Sequence, residues 1–236
     1  MRLLLPTLLL LLAACEIAPV TTGPREGPAI TAPQGVSQDR AERAALQFVQ
    51  VAETIEPVAE AQCRRLAPRA NCDYLIVVDD RPNQAPNAFQ TLDRSGRPIV
   101  AFNLPLILSV ENADELAFFM GHEASHHILG HLDRIQEDAA VGAIIFSGIA
   151  AMSGADEASV RSAERFGASV GARTYSKDYE LEADQLGTII TLRSGYDPIR
   201  GAEFFMHIPD PGNRFLGSHP PNGARIEVVR RTVAGY

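Results

Sequence analysis

The chemistry in this chain concentrates in His122-Glu123-Ala124-Ser125-His126. On a helix, the pattern H-E-x-x-H places two imidazoles at i and i+4 on one face, with a carboxylate beside them. Such a face can hold a zinc ion and supply a water beside it with a base. With six histidines in 236 residues, chance produces the pattern in roughly one such chain in a hundred, so the surrounding residues must decide whether it is meaningful.

The elements around it favour a helix. Asn112 or Glu111 can cap it, Asp114 and Glu115 suit its positive first turn, and Leu116, Phe119 and Met120 form an apolar stripe. The run from Ala113 to about Asp138 lacks proline, and its helix propensity is good as far as Gly130. At about 100° per residue, His122 and His126 lie about 40° apart and Glu123 about 60° beyond His126, so all three open to one side. On one continuous helix His131 would face away, about 160° from the histidine pair, and His127 also points off the face. Both read as solvated histidines or as groups behind a ligand.

A catalytic zinc usually takes three protein ligands and leaves a position for water. The best source of a third is Tyr179-Glu180-Leu181-Glu182-Ala183-Asp184, on a helix expected from about Tyr175 to Arg193 and ended by Gly195 and Pro198. Glu180 and Asp184 share a face, whereas Glu182 points about 200° away from Glu180. We therefore read Glu180 as the ligand, Asp184 as an acceptor for the outer N–H of a ligand histidine, and Glu182 as the fallback ligand. Spacing alone also permits an ordinary acidic helix face.

Three blocks in order carry a family resemblance: HEASH, then ELEAD with Gly187, then Ser218-His219-Pro220-Pro221 with Arg225. Over roughly Ser37 to Val229 the chain resembles the gluzincin endopeptidases that include HtpX, BepA and the CAAX prenyl proteases. The resemblance implies an α+β, mainly helical, zincin-like (gluzincin) catalytic domain with a small β-sheet beside the HExxH helix. It implies one Zn2+ on His122, His126 and Glu180, Glu123 as catalytic base, Asp184 behind the ligands and Arg225 in support. His219 would be a mobile active-site histidine that stabilises the oxyanion or caps the metal in a latent state. Without the resemblance, His219 before two prolines reads as a turn residue and Arg225 as a surface charge.

Three strands are expected upstream: Asp73 to Val78, Asn87 to Leu92, and Arg97 to Asn103, the last two joined by an Asp93-Arg94-Ser95-Gly96 turn. An exposed edge strand can hydrogen-bond an extended peptide and present its carbonyl to a metal. The family has such a strand, and Asn87, Ala88 and Phe89 resemble its substrate-facing part; a plain hairpin packed on the helix is the alternative.

The N-terminus suggests a compartment. Met1-Arg2 and the apolar Leu3 to Leu12 form a signal-like segment too short to span a membrane comfortably. Leu12-Ala13-Ala14-Cys15 resembles a bacterial lipobox, which would make residues 1–14 a lipoprotein signal peptide and Cys15 the lipidated residue. Glu16, not aspartate, favours the outer membrane. Residues 15–36, rich in Pro, Gly and Thr, read as a flexible tether to a metallopeptidase domain at 37–236. Of three cysteines, lipidation of Cys15 would leave Cys63 and Cys72 to pair in an oxidising periplasm. A helix is expected from Ser37 through Ile55, with Pro57 breaking or kinking it.

The apolar, Gly-punctuated stretch from Ala139 to Met152 falls short of a comfortable span. We expect it to be buried against the core, a dip into a lipid surface or a mobile lid being the alternatives. Net charge is −8 with both signs dispersed, and no basic stripe for nucleic acid is seen. The expected function is zinc-dependent endopeptidase activity in the bacterial cell envelope, on the periplasmic face, against misfolded or misassembled envelope proteins, outer-membrane proteins included. The alternative is an assembly or chaperone-like factor with latent or no proteolysis.

Overall fold

A computed structural model of the chain describes residues 36–214, 217 and 219–236. The signal segment, Cys15, the tether up to residue 35 and Ser218 lie outside the described residues. The described part is mostly helical with one three-stranded sheet.

Helix α1 (Gln38–Leu66) starts at Ser37, whose hydroxyl accepts from the Arg40 N–H. It does not stop at Pro57. Pro57 is exposed, so its ring meets solvent, while Val51, Ile55, Ala59 and Cys63 continue a buried stripe past it. Burial along that stripe outweighs the one backbone hydrogen bond that proline removes. Cys63, in the last turn of α1, forms a disulfide with Cys72, with Cα atoms 5.6 Å apart. Closing so short a loop stabilises by roughly 2–3 kcal/mol, and it ties α1 to the segment entering the sheet.

The sheet has the order β1-β3-β2, with β1 (Leu75–Asp79), β2 (Ala88–Leu92) and β3 (Pro98–Asn103). β1 pairs parallel to β3, Leu75 opposite Ile99, and β2 pairs antiparallel, Ala88 opposite Phe102. The β2–β3 turn is closed by the Asp93 carboxylate, which accepts from Ser95 and Arg97 N–H groups, with Gly96 at φ 81°. β2 is left as an edge among the described residues. Asn103 ends β3 and caps α2 (Leu104–Ser109) by accepting from Leu106 N–H.

Helix α3 (Ala113–Ile128) carries HEASH and runs through the main core. Asn112 caps it, and Glu115 returns to accept from the Glu111 N–H at 2.7 Å. Leu116, Ala117, Met120, Ala124 and Ile128 pack with α1, with Tyr74 just before β1, with Val100 and Phe102 of β3, and with Leu186 and Ile190. The helix does not continue to Asp138. It ends at Leu129, Gly130 takes a left-handed conformation at φ 65°, and α4 (His131–Met152) leaves on a new axis.

α4 pairs with α5 (Glu157–Thr174) as a helical hairpin. Glycines make this close: a Cβ on Gly142 would lie 2.1 Å from the Gly167 carbonyl oxygen. The apolar stretch is therefore not buried, contrary to expectation. Its small-residue side is covered by α5, while Val141, Ile144, Ile145, Ile149 and Met152 form an exposed stripe at helical spacing. By length and composition alone, α4 could cross a membrane, although it is a surface helix of this domain.

α6 (Ser176–Arg193) crosses α3 at two glycines. A Cβ on Gly121 would sit 2.8 Å from the Gly187 carbonyl oxygen, and one on Gly187 would sit 2.8 Å from the His122 nitrogen. Short helices α7 (Pro198–Gly201) and α8 (Phe204–His207) follow, then α9 (Asn222–Ala234). Phe118, Ala202, Phe205 and Val229 make a second apolar cluster under them. We expect Gly187→Ala to lower stability by about 1–3 kcal/mol through overpacking. Gly148→Ala, where a Cβ meets nothing within 4 Å, should be neutral or stabilising by up to about 1 kcal/mol. Urea denaturation measures both, and equal midpoints for the two variants would refute the close crossing.

Candidate metal centre

The Gly121–Gly187 crossing sets one face of α3 against one face of α6. From α3 come His122, Glu123 and His126; from α6 come Glu180 and Asp184. The two imidazole Nε2 atoms are 3.0 Å apart, and the Glu180 carboxylate oxygens lie 3.7 Å from His122 Nε2 and 3.4 Å from His126 Nε2. One potential ligand atom from each of the three residues falls within 4.8 Å of the others. Donors about 2.1 Å from a tetrahedral zinc are about 3.4 Å from one another, so these separations suit that ion without rearrangement of the helices.

Charge points the same way. Three carboxylates, on Glu123, Glu180 and Asp184, face one guanidinium, that of Arg225, and all are buried or nearly so. A divalent cation would neutralise that excess. Burial would push the Glu180 carboxyl up, but hydrogen bonds from His126 and His219 and the charges of His122 and Arg225 hold it well below its ordinary range. Burial likewise opposes the charged form of His126, and the Glu180 hydrogen bond with the Glu123 and Glu180 charges holds it above its usual value.

Behind the donors, Asp184 is fully buried and its Oδ1 lies 2.9 Å from His122 Nδ1. It can accept that N–H and so turn the Nε2 lone pair of His122 towards the centre. Arg225 grips Asp184 with two hydrogen bonds, from Nε at 2.8 Å and from a terminal nitrogen at 2.6 Å. Its guanidinium lies 4.1 Å above the Phe205 ring and 3.6 Å from Glu180. This pair keeps the Asp184 carboxyl low despite the opposing effect of burial. Arg225 is thus a buried group, not the surface charge that its sequence context alone suggested. His219, more than half exposed, reaches Glu180 with its Nδ1 at 3.1 Å.

These groups open into a cavity of about 330 Å³. Glu123 lines it, as do His219 and, from the edge strand and the residues before it, Asn87, Ala88, Phe89 and Gln90. Phe119, Phe204 and Phe205 give it an apolar wall. Gln90 Oε1 is buried without a hydrogen-bond partner among the described residues, so an acceptor stands ready in the lining.

The histidines after HEASH divide. His127 turns outward, its Nε2 2.7 Å from the Asn71 carbonyl oxygen and its ring edge-on to Tyr74. His131 does not face away as a continuous helix would require. The break at Gly130 swings it back, 1 % exposed, with its Nδ1 2.8 Å from His126 Nδ1. Burial and the neighbouring His126 bring the His131 imidazole down to about 4. Glu182 lies outside the donor cluster and meets His131 and Arg134 instead. The signal for His131 was the glycine just before it, which can end a helix and reset the direction of the chain.

No curated protein gives a significant match to the chain. The pattern of peptidase family M48, whose members are zinc metallopeptidases, matches residues 45–233, a span that contains every residue of the cluster. With that match over most of its length, the chain belongs to peptidase family M48.

Proposed function

We propose that the protein is a zinc-dependent endopeptidase of the bacterial cell envelope, a lipoprotein member of the group that includes HtpX, BepA and the CAAX prenyl proteases, acting on misfolded or misassembled envelope proteins. The observation that carries the peptidase reading is the convergence of His122, His126 and Glu180 beside Glu123 in a cavity bordered by an edge strand.

His122, His126 and Glu180 would hold zinc, which would supply polarisation of the scissile carbonyl and lower the pKa of a water towards ~7. The protein's own groups then do the following. β2 pairs with an extended stretch of substrate and aligns its carbonyl, with Asn87, Ala88 and Phe89 facing the chain. Glu123 takes a proton from the attacking water as the C–O bond forms, then delivers it to the amine as the C–N bond breaks. Asp184, clamped by Arg225, holds His122 in the ligating tautomer. His219, on the cavity rim, donates to the oxyanion. Glu123→Gln should retain zinc while peptide hydrolysis falls by about 10²–10⁴-fold, with metal content and casein cleavage measured on one sample. Near-normal cleavage by that variant rules the mechanism out, and the same variant can trap envelope substrates.

A second reading, an assembly factor with latent proteolysis, draws on one contact: His219 already sits on the Glu180 carboxylate. If it restrains the site, His219→Ala will cleave casein faster than wild type; if it serves the oxyanion, cleavage will fall.

The envelope assignment draws on the lipobox at Cys15. The exposed apolar stripe of α4 is in keeping with a place beside a lipid surface. Cys15→Ser should move the protein from the membrane to the soluble fraction; continued membrane association at high salt would count against the lipid anchor.

A further inference from the structure

We propose that His131 is a positioning residue for the metal site, completing a carboxylate–imidazole–imidazole relay from Glu182 through His131 to His126. The inference rests on the zinc reading above and extends it to residues outside the H-E-x-x-H pentapeptide.

The two ligand histidines face different surroundings. His122 Nδ1 meets a carboxylate directly, Asp184 at 2.9 Å. His126 has its Nε2 among the donors, 3.4 Å from Glu180, and its Nδ1 2.8 Å from His131 Nδ1. Two imidazole nitrogens at that distance share one proton. For His126 to offer a lone pair from Nε2, its Nδ1 must carry that proton, so His131 Nδ1 must accept it. A neutral His131 then holds its own proton on Nε2, and there the Glu182 carboxylate waits at 3.1 Å. Every donor in the chain finds an acceptor and no proton is left over.

The frame around His131 holds it in this pose. Its ring stacks on Tyr179, with centroids 4.9 Å apart and planes 18° apart. Arg134 holds Glu182 at 2.6 Å and places its guanidinium 4.1 Å above the Tyr179 ring. The Tyr179 hydroxyl donates to Asp138 at 2.6 Å. α4 contributes His131, Arg134 and Asp138, and α6 contributes Tyr179 and Glu182. The relay therefore joins the root of the helical hairpin to a metal ligand. Outer partners of ligand histidines raise ligand basicity, and losing one typically weakens metal binding by about 10–100-fold.

The test is zinc affinity by chelator competition on the purified chain, alongside the histidine tautomers read from long-range ¹H–¹⁵N correlations of the zinc-loaded protein. His131→Phe keeps the stack on Tyr179 and removes the acceptor; we expect zinc to bind about 10–100-fold more weakly. His131→Gln, which returns an amide oxygen as acceptor, should recover part of the loss. Glu182→Gln changes only the outer end, on a partly exposed side chain, and should weaken zinc less than His131→Phe does. In wild type, His131 should be protonated on Nε2 and His126 on Nδ1. Wild-type affinity in both His131→Phe and Glu182→Gln, or a His131 protonated on Nδ1, would overturn the relay. If His131→Phe fails to fold, Glu182→Gln and the wild-type tautomers still decide. His126→Ala separates this result from failure of the zinc reading: unchanged zinc binding there would sink the metal site itself, whatever His131 does.

Discussion

Everything at the centre depends on two helices being allowed to touch at backbone distance. α3 and α6 meet where Gly121 faces Gly187, and a single methyl on either would lie 2.8 Å from a backbone atom of the other helix. That contact sits next to His122 and within two turns of His126 and Glu180, so it sets how far the imidazoles stand from the carboxylate. Wider packing would carry the Glu180 oxygens beyond reach of a common ion. The main core supports the crossing: Leu116 and Met120 on one helix and Leu186 and Ile190 on the other join α1 and the sheet in one apolar cluster. The hydroxyls of Ser125 and Thr191 are satisfied on the Gly121 and Gly187 carbonyls, and the Thr191 oxygen itself lies at the crossing, 3.2 Å from where a Cβ on Gly121 would sit.

Burying charge near this crossing requires compensation. Asp184 is fully enclosed and would be costly as an isolated anion. Arg225 meets it with two hydrogen bonds and spreads its own charge over Phe205. The same guanidinium also faces Glu180. One buried cation therefore steadies two acidic groups with different duties, one turning a histidine and one aimed at the donor cluster. Removing it would leave Asp184 with His122 alone and Glu180 without its buried guanidinium, a loss far larger than that of an exposed pair.

Much of this was legible from residue order, because it is local. Helical spacing grouped His122, Glu123 and His126 and separated Glu180 and Asp184 from Glu182; cap preference narrowed the start of α3 to Asn112 or Glu111, and Asn112 is the cap. Cysteine arithmetic and the short loop between them identified the Cys63–Cys72 pair that the fold contains. The errors came where one residue redirects the chain or where tertiary packing overrides a local preference. A helix extrapolated past Gly130 placed His131 on the wrong side. A break was one of the two outcomes expected at Pro57, but α1 runs on past it, the ring facing solvent and the buried stripe continuing beneath. Ala139 to Met152 looked like core because it is apolar; the glycines within it instead serve a close helix pair, leaving the larger side chains outside. Neither the α4–α5 pairing nor the burial of Arg225 has a local signature.

β2 is only five residues long, Ala88 to Leu92, which is about 17 Å of extended chain. A substrate held along it would have to surrender its own secondary structure over at least that length before its carbonyl could reach the centre. A folded helix or a paired strand has its backbone groups already engaged and cannot do this without local unfolding. Selection would then fall on the conformational state of the target more than on its residue sequence: an unravelled segment qualifies, and the same segment within a finished protein does not. Such a cleft would act as a gauge of assembly, discriminating by the free energy needed to expose a few residues of backbone.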